Sequence, residues 1–159
     1  ALLNYIAGDV DLSTMDNSQK ADTVTIRYSQ SITDKYVYDA KAKNYKRYVN
    51  NKEHTDDVTK KQYPFKNIIT YQVDNNTISS DEKGRQDLGN VGSGEGYYIT
   101  NGYAIKIKWS KESRSAKTKY TLLDGTELKV SDGNTFIQIQ PKNQALTFEQ
   151  NIEDPVNQE

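Results

Sequence analysis

GSGEGYYITNGYAIKIKW, residues 92–109, joins a glycine-rich stretch to two β-prone segments and ends on the only tryptophan. At its centre stands Asn101-Gly102, a strong short-range signal for a β-hairpin, because both central residues of a type I′ turn need positive φ. A two-residue turn there sets Thr100 opposite Tyr103 and Tyr98 opposite Ile105. Side chains alternate along a strand, so Tyr98, Tyr103, Ile105, Ile107 and Trp109 share one face, while Lys106 and Lys108 point the other way. The shared face is expected to be a wall of the core. Tyr97, on the opposite phase, is expected outside that wall, across from Lys106.

Downstream the signal recurs at Asp124-Gly125 and Asp132-Gly133, each flanked by β-prone residues. Two-residue turns at both sites put Leu128 and Val130 on the face that carries Ile137 and Ile139. Upstream, Val24, Ile26 and Tyr28 alternate with Thr23, Thr25 and Arg27, the period of a strand with one buried face. Tyr36 to Tyr38 makes a short strand, and Tyr45, Arg47 and Val49 alternate as a third. Pro64 to Val73 is strongly β-prone, and its adjacent Ile68 and Ile69 imply burial on both faces or a bulge. Asn50 to Lys61 is charged, holds His54, and reads as a surface loop. Asn75 to Gly96 is loop-like throughout. So long an irregular stretch inside a compact domain either packs on the sheet or carries function.

No segment carries a 3.6-residue apolar period over a dozen residues. The chain is therefore expected to be mainly β, an antiparallel meander forming a sandwich or a rolled, partly closed sheet with little helix. Residues 22–150 form the β domain. Residues 1–21 read as an N-terminal tail or a linker from an absent upstream domain, and residues 151–159 as a frayed, acidic tail. The chain opens at Ala1 with no initiator methionine, so an upstream segment is expected to have been removed.

The 159 residues suffice for one domain with a proper core. Hydrophobic residues make up only 34%, with Leu, Ile, Val and Phe about a fifth of the chain, the range where disorder threatens. A net charge of -1 and 12 tyrosines argue for folding, since tyrosine buries a ring and keeps a hydroxyl for a partner. Lys+Arg 21 against Asp+Glu 22 leaves no field to gather nucleic acid or acidic lipid. The absence of cysteine excludes a disulfide framework or thiolate site, and the single histidine excludes a multi-histidine metal site within one chain. No apolar run reaches the length of a membrane-spanning helix.

Arg47, His54, Asp56 and Asp57 are the most chemically suggestive group. A carboxylate can orient a histidine and raise its basicity, and an arginine can grip an anion with two donors. No nucleophile motif accompanies them, and solvated loop residues are the simpler reading. Gly92, Gly94 and Gly96 resemble a phosphate-cradling loop in number alone, because such loops lead into a helix and this stretch leads into a strand. Close approach of backbone to backbone beside a sheet explains them better. Tyr97 is the best-placed aromatic for outward contact. Asp74-Asn75-Asn76 and Asp81-Glu82 lack the spacing of a calcium loop and read as turn chemistry. The candidate ligand or partner contacts are therefore Arg47, His54, Asp56, Gly92, Gly94 and Tyr97, with no catalytic residue, metal or cofactor assigned.

Taken in order, TVTIRYS (23–29), YVYDAKAKNYKRYVNNKEHTDD (36–57), FKNIITYQV (65–73), GSGEGYYITNGYAIKIKWSK (92–111) and LLDGTELKVSDGNTFIQI (122–139) resemble the C-terminal domain of the YerB-like bacterial lipoproteins. The resemblance covers Asp22 to Pro141. Its matching positions include Tyr38-Asp39, Tyr45, Arg47, His54, Asp56, Asn67, Gly92, Gly94, Trp109, Lys111, Gly125 and Gly133. Phe136 stands where the family pattern leads one to expect a second tryptophan. The resemblance implies an extracytoplasmic domain whose intact precursor is membrane-anchored through a lipidated cysteine that this sequence lacks, in a family without an established activity. The function expected from it is a non-enzymatic interaction domain holding a protein or a cell-wall component. An enzyme acting on cell-wall or surface polymers and a glycan-binding module are the alternatives.

Overall fold

The Asn101-Gly102 turn closes on two residues. In the computed structural model, which describes residues 3–73 and 91–151, Asn101 lies at φ 51° and Gly102 at φ 84°, the conformation a type I′ turn demands. Thr100 faces Tyr103 and Tyr98 faces Ile105, as the spacing requires.

In chain order the strands are β1 (Asn4–Tyr5), β2 (Gln19–Lys20), β3 (Thr23–Arg27), β4 (Thr33–Asp39), β5 (Asn44–Val49), β6 (Lys52–Glu53), β7 (Pro64–Phe65), β8 (Asn67–Val73), β9 (Gly92–Thr100), β10 (Tyr103–Lys111), β11 (Lys119–Leu122), β12 (Lys129–Val130), β13 (Thr135–Pro141) and β14 (Leu146–Glu149). Every regular element among the described residues is a strand. The first sheet runs β11-β10-β9-β8-β13, with β2 added beside β10. The second runs β14-β3-β4-β5-β6, with β7 added beside β5. They stack as a sandwich that does not close into a barrel.

The first sheet is apolar on both faces. Tyr98, Ile105, Ile107 and Trp109 share one core with Ile69, Tyr71, Leu128, Val130 and Ile139, so the face predicted from the hairpin is the wall it was expected to be. On the reverse, Ile68, Ile99 and Ala104 pack against Val24, Ile26, Tyr36 and Tyr45 of the second sheet. Ile68 and Ile69 thus serve one core each, both fully buried. Buried tyrosines tie the layers through their hydroxyls, which meets the need of a buried polar group for a partner. Tyr45 donates to the Ala21 carbonyl at 2.7 Å and accepts from the Gly102 amide at 3.1 Å. Tyr98 donates to Asn67 Oδ1 at 2.7 Å and accepts from the Ser131 amide at 2.9 Å.

Four expectations need correction. Residues 1–21 do not hang free where they are described. Leu12 and Ala21 are buried, Leu3, Val10 and Met15 pack on the first core, and β1 and β2 pair with β12 and β10. A sheet apolar on both faces needs a second cover, and this segment supplies part of it. Asp132-Gly133 does not turn a hairpin either. β12 pairs with β1 and β13 pairs with β8, both in parallel, because a local reversal does not dictate which strand the departing chain joins. Leu128, Val130, Ile137 and Ile139 still converge on one core. At Asp124-Gly125, Leu122 donates to the Thr126 carbonyl at 2.8 Å, so three residues lie in the loop where two were expected. Finally, Gly92 to Gly96, read as the end of a loop, is already strand. The remainder of that expected loop, 75–90, lies outside the described residues, as do Asp74, Asp81 and Glu82 and the tail beyond Asn151.

Candidate functional site

Alternation along β4 sends Asp34 and Tyr36 to the same side, toward the first sheet, and the register of β5 sets Arg47 beside Tyr36. The Arg47 guanidinium divides its donors among three partners. Nε donates to the Tyr36 hydroxyl at 3.1 Å, Nη2 donates to Asp34 Oδ1 at 3.0 Å, and Nη1 meets His54 Nδ1 at 3.0 Å. From the opposite sheet Gln138 closes the ring, accepting from the Tyr36 hydroxyl at 2.6 Å and donating to Asp34 Oδ2. The cation also lies 4.5 Å from the Phe136 ring, an arrangement that favours arginine over lysine. Phe136 itself packs on Tyr36 and Phe65. The residue standing in place of the expected tryptophan is thus core, with Arg47 stacked on it.

Burial sets the electrostatics of this group. Tyr36 is fully enclosed and its phenol is driven far above its usual range, with Arg47 opposing the shift. His54 is half-buried, and its basicity is reduced first by desolvation and then by the neighbouring Arg47 cation. Arginine can only donate, so His54 Nδ1 accepts and the neutral ring carries its proton on Nε2. A carboxylate does serve this histidine, but at one remove: Asp34 acts through Arg47.

Asp56 is turned to other work. Its Oδ1 accepts the amides of Val58 and Thr59 at 2.8 Å each, and its Oδ2 accepts the Tyr63 hydroxyl at 3.1 Å. The Tyr63 ring lies against His54, tilted by 48° with centroids 4.5 Å apart, so Asp56 reaches the histidine only through a ring. The sequence-predicted group is therefore half assembled. Arg47 and His54 are in contact, Asp56 caps its own turn, and the charge partner is the unpredicted Asp34. The alternation of Asp34 with Tyr36 was a readable sign of an inward carboxylate. Gln138, more than a hundred positions away, gave no sign.

Gly92, Gly94 and Tyr97 lie elsewhere, on β9. A Cβ at Gly96 would come within 2.4 Å of the Thr70 carbonyl, and one at Gly94 within 2.9 Å of Trp109 Nε1. Gly96 thus permits the backbone approach read from the sequence, whereas Gly94 makes room for a side chain and nothing lies within 4 Å of a Cβ at Gly92. Tyr97 does pair across from Lys106. It is half-buried, however, because Phe148 of the second sheet meets its ring edge-on at 4.9 Å. Where the second sheet ends, a polar trough of about 290 Å³ opens on the first sheet, lined by Thr70, Glu95, Gly96, Tyr97, Lys106 and Leu146. A second depression of about 400 Å³ shares Glu95 and continues over Ser93, Lys108, Ser110 and Thr121. Among the described residues, no group of three His, Asp or Glu side chains could hold a metal ion. The aromatic side chain that reaches open exposure among them is Tyr5, at 42%.

Residues 24–137 match the family described as "Protein of unknown function (DUF3048) C-terminal domain". Among solved structures, the crystal structure of the YerB protein from Bacillus subtilis is similar, with a TM-score of 0.62 at 21% identity over 85% of this chain and 45% of that one. The chain thus spans less than half the length of that structure, and the likeness is one of fold. No curated protein matches the chain.

Proposed function

We propose, for a chain that belongs to the DUF3048 C-terminal domain family, a non-enzymatic role as an extracytoplasmic interaction domain that holds a protein or a cell-wall component. One observation carries the proposal: the chemically equipped cluster spends itself on structure. Arg47 is divided among Tyr36, Asp34 and His54, Gln138 locks Asp34 and Tyr36 from the facing sheet, and Asp56 caps a turn. Among the described residues, open to a ligand are sheet surface, the polar trough with its adjoining depression, and a third depression of about 390 Å³ beside Leu3, Tyr120 and Leu128. The near balance of charge speaks against nucleic acid as the partner. By resemblance to YerB-like lipoproteins, the intact precursor would be tethered to the membrane by a lipid anchor.

The test exposes purified domain to peptidoglycan and to a cell-envelope extract. Expected are saturable retention of a specific component, unchanged in His54→Ala, and no release of soluble fragments. Fragment release that disappears in His54→Ala would replace this reading by the enzymatic one, which rests on the 3.0 Å contact of Arg47 with His54.

A further inference from the structure

Among the described residues, β14 is an edge strand with half of its backbone unpaired. Arg27 donates to the Ala145 carbonyl at 2.9 Å, and in an antiparallel ladder bonded and non-bonded pairs alternate. With Thr147 opposite Thr25 and Leu146 opposite Ile26, the amides and carbonyls of Thr147 and Glu149 face β3. Those of Leu146 and Phe148 point outward. No described residue pairs with that outer edge. An exposed row of this kind is a template for another strand unless something blocks it, and neither proline nor lysine stands on β14.

The surface beside the edge is shaped for an occupant. The trough begins at Leu146 and is floored by Thr70, Glu95 and Lys106. The Thr70 hydroxyl is buried there without a hydrogen-bond partner, although a buried hydroxyl in a folded protein ordinarily has one. Within the trough itself the charges balance. Glu95 is already paired with Lys106 at 3.6 Å, while exposed Lys108, in the adjoining depression, forms no ion pair among the described residues. Only the trough and the adjoining depression taken together carry a positive excess, through Lys108.

We infer that the outer edge of β14, with the trough beside Leu146, receives an extended acidic peptide segment of a partner by strand addition. Main-chain hydrogen bonds to Leu146 and Phe148 hold the segment, and an acidic side chain toward Lys108 selects it. This deepens the interaction-domain proposal and rests on it.

The experiment uses the whole chain and two capped peptides of about six residues, one alternating Thr with Asp and one alternating Thr with Lys. Binding is followed by amide exchange and by titration. The acidic peptide is expected to slow exchange at Leu146 and Phe148, to weaken with added salt, and to outbind the basic one. Lys108→Glu changes only an exposed side chain and should lower acidic-peptide affinity about fivefold or more, the scale of one lost charged contact. Leu146→Pro removes an outward N–H, which an edge strand tolerates, and should do the same. Equal binding of both peptides, unaltered affinity in both variants, or full exchange protection of the two amides in the free protein would overturn the inference. Envelope capture that survives Leu146→Pro unchanged would overturn it too while leaving the interaction role intact. His54-dependent fragment release would instead remove that role, so the two failures are told apart.

Discussion

Arg47 gives one donor each to a phenol, a carboxylate and an imidazole, and most of its side chain and nearly all of Asp34 are shielded from water. Replacing it by methionine strands Asp34 as a buried charge with no cation. We expect Arg47→Met to cost on the order of 3–5 kcal/mol in urea denaturation, with Asp34→Leu added to it returning part of the loss. An unchanged midpoint for Arg47→Met would show that the cluster is not the strut described. His54 adds a pH signature. Its basicity in the folded state lies below the ordinary value of 6.5 through desolvation and Arg47, so the unfolded chain takes up the proton first as acid is added. The stability this group contributes is complete above its unfolded pKa and is lost as pH falls through the folded one. Thermal melts from about pH 7.5 down to about pH 5 should therefore descend more steeply for the native chain than for His54→Gln. Parallel curves would contradict the assignment. Arg47 and His54 could be grouped by residue chemistry, but solvated loop residues were the simpler reading, and their contact emerged only in the fold. Asp34 was legible only as an inward phase, and Gln138 not at all, since the contact exists only once the sheets have stacked.

At the scale of strands, β9 shows how a glycine run can be read correctly for its purpose and wrongly for its element. Backbone crowding was foreseen, and Gly96 does lie against β8, where a methyl group would sit 2.4 Å from the Thr70 carbonyl and 2.6 Å from Tyr71 Cβ. Glycine depresses strand propensity, so the same residues signalled loop. Gly96→Ala should destabilise by about 1–3 kcal/mol, because neither backbone can yield without parting the two strands. Gly94→Ala meets only the Trp109 ring, so chemical denaturation should find it milder, with a shift in tryptophan emission. Equal costs would mean that the approach of β8 to β9 is looser than drawn. The turn at Asn101-Gly102 succeeded as a local signal because its whole requirement, two positive φ angles, is contained in two residues. Asp132-Gly133 failed because pairing of β13 with β8 is decided by which core edge stands free.

For the molecule as a whole, the first sheet must be covered on both faces. The second sheet covers one, and the N-terminal segment with β12 helps to cover the other. Leu12, almost fully buried in that cover, should cost about 2–5 kcal/mol when cut to alanine, and removal of residues 1–21 should expose apolar surface to a reporter dye. A truncated chain that melts like the intact one would restore the reading of these residues as a tail. Sequence alone determined the β class, the hairpin at Asn101, the inner face from Tyr98 to Trp109 and the close backbone approach at Gly96. Each of these follows from alternation or from a backbone angle and is complete within a dozen residues. Tertiary structure alone decided the two-faced first sheet, the parallel placement of β13, the packed N-terminal segment, the partners of Arg47 and the open edge of β14. In each of these, groups far apart in the chain meet because an apolar face must be covered or a buried polar atom satisfied, and neither need names its partner in advance.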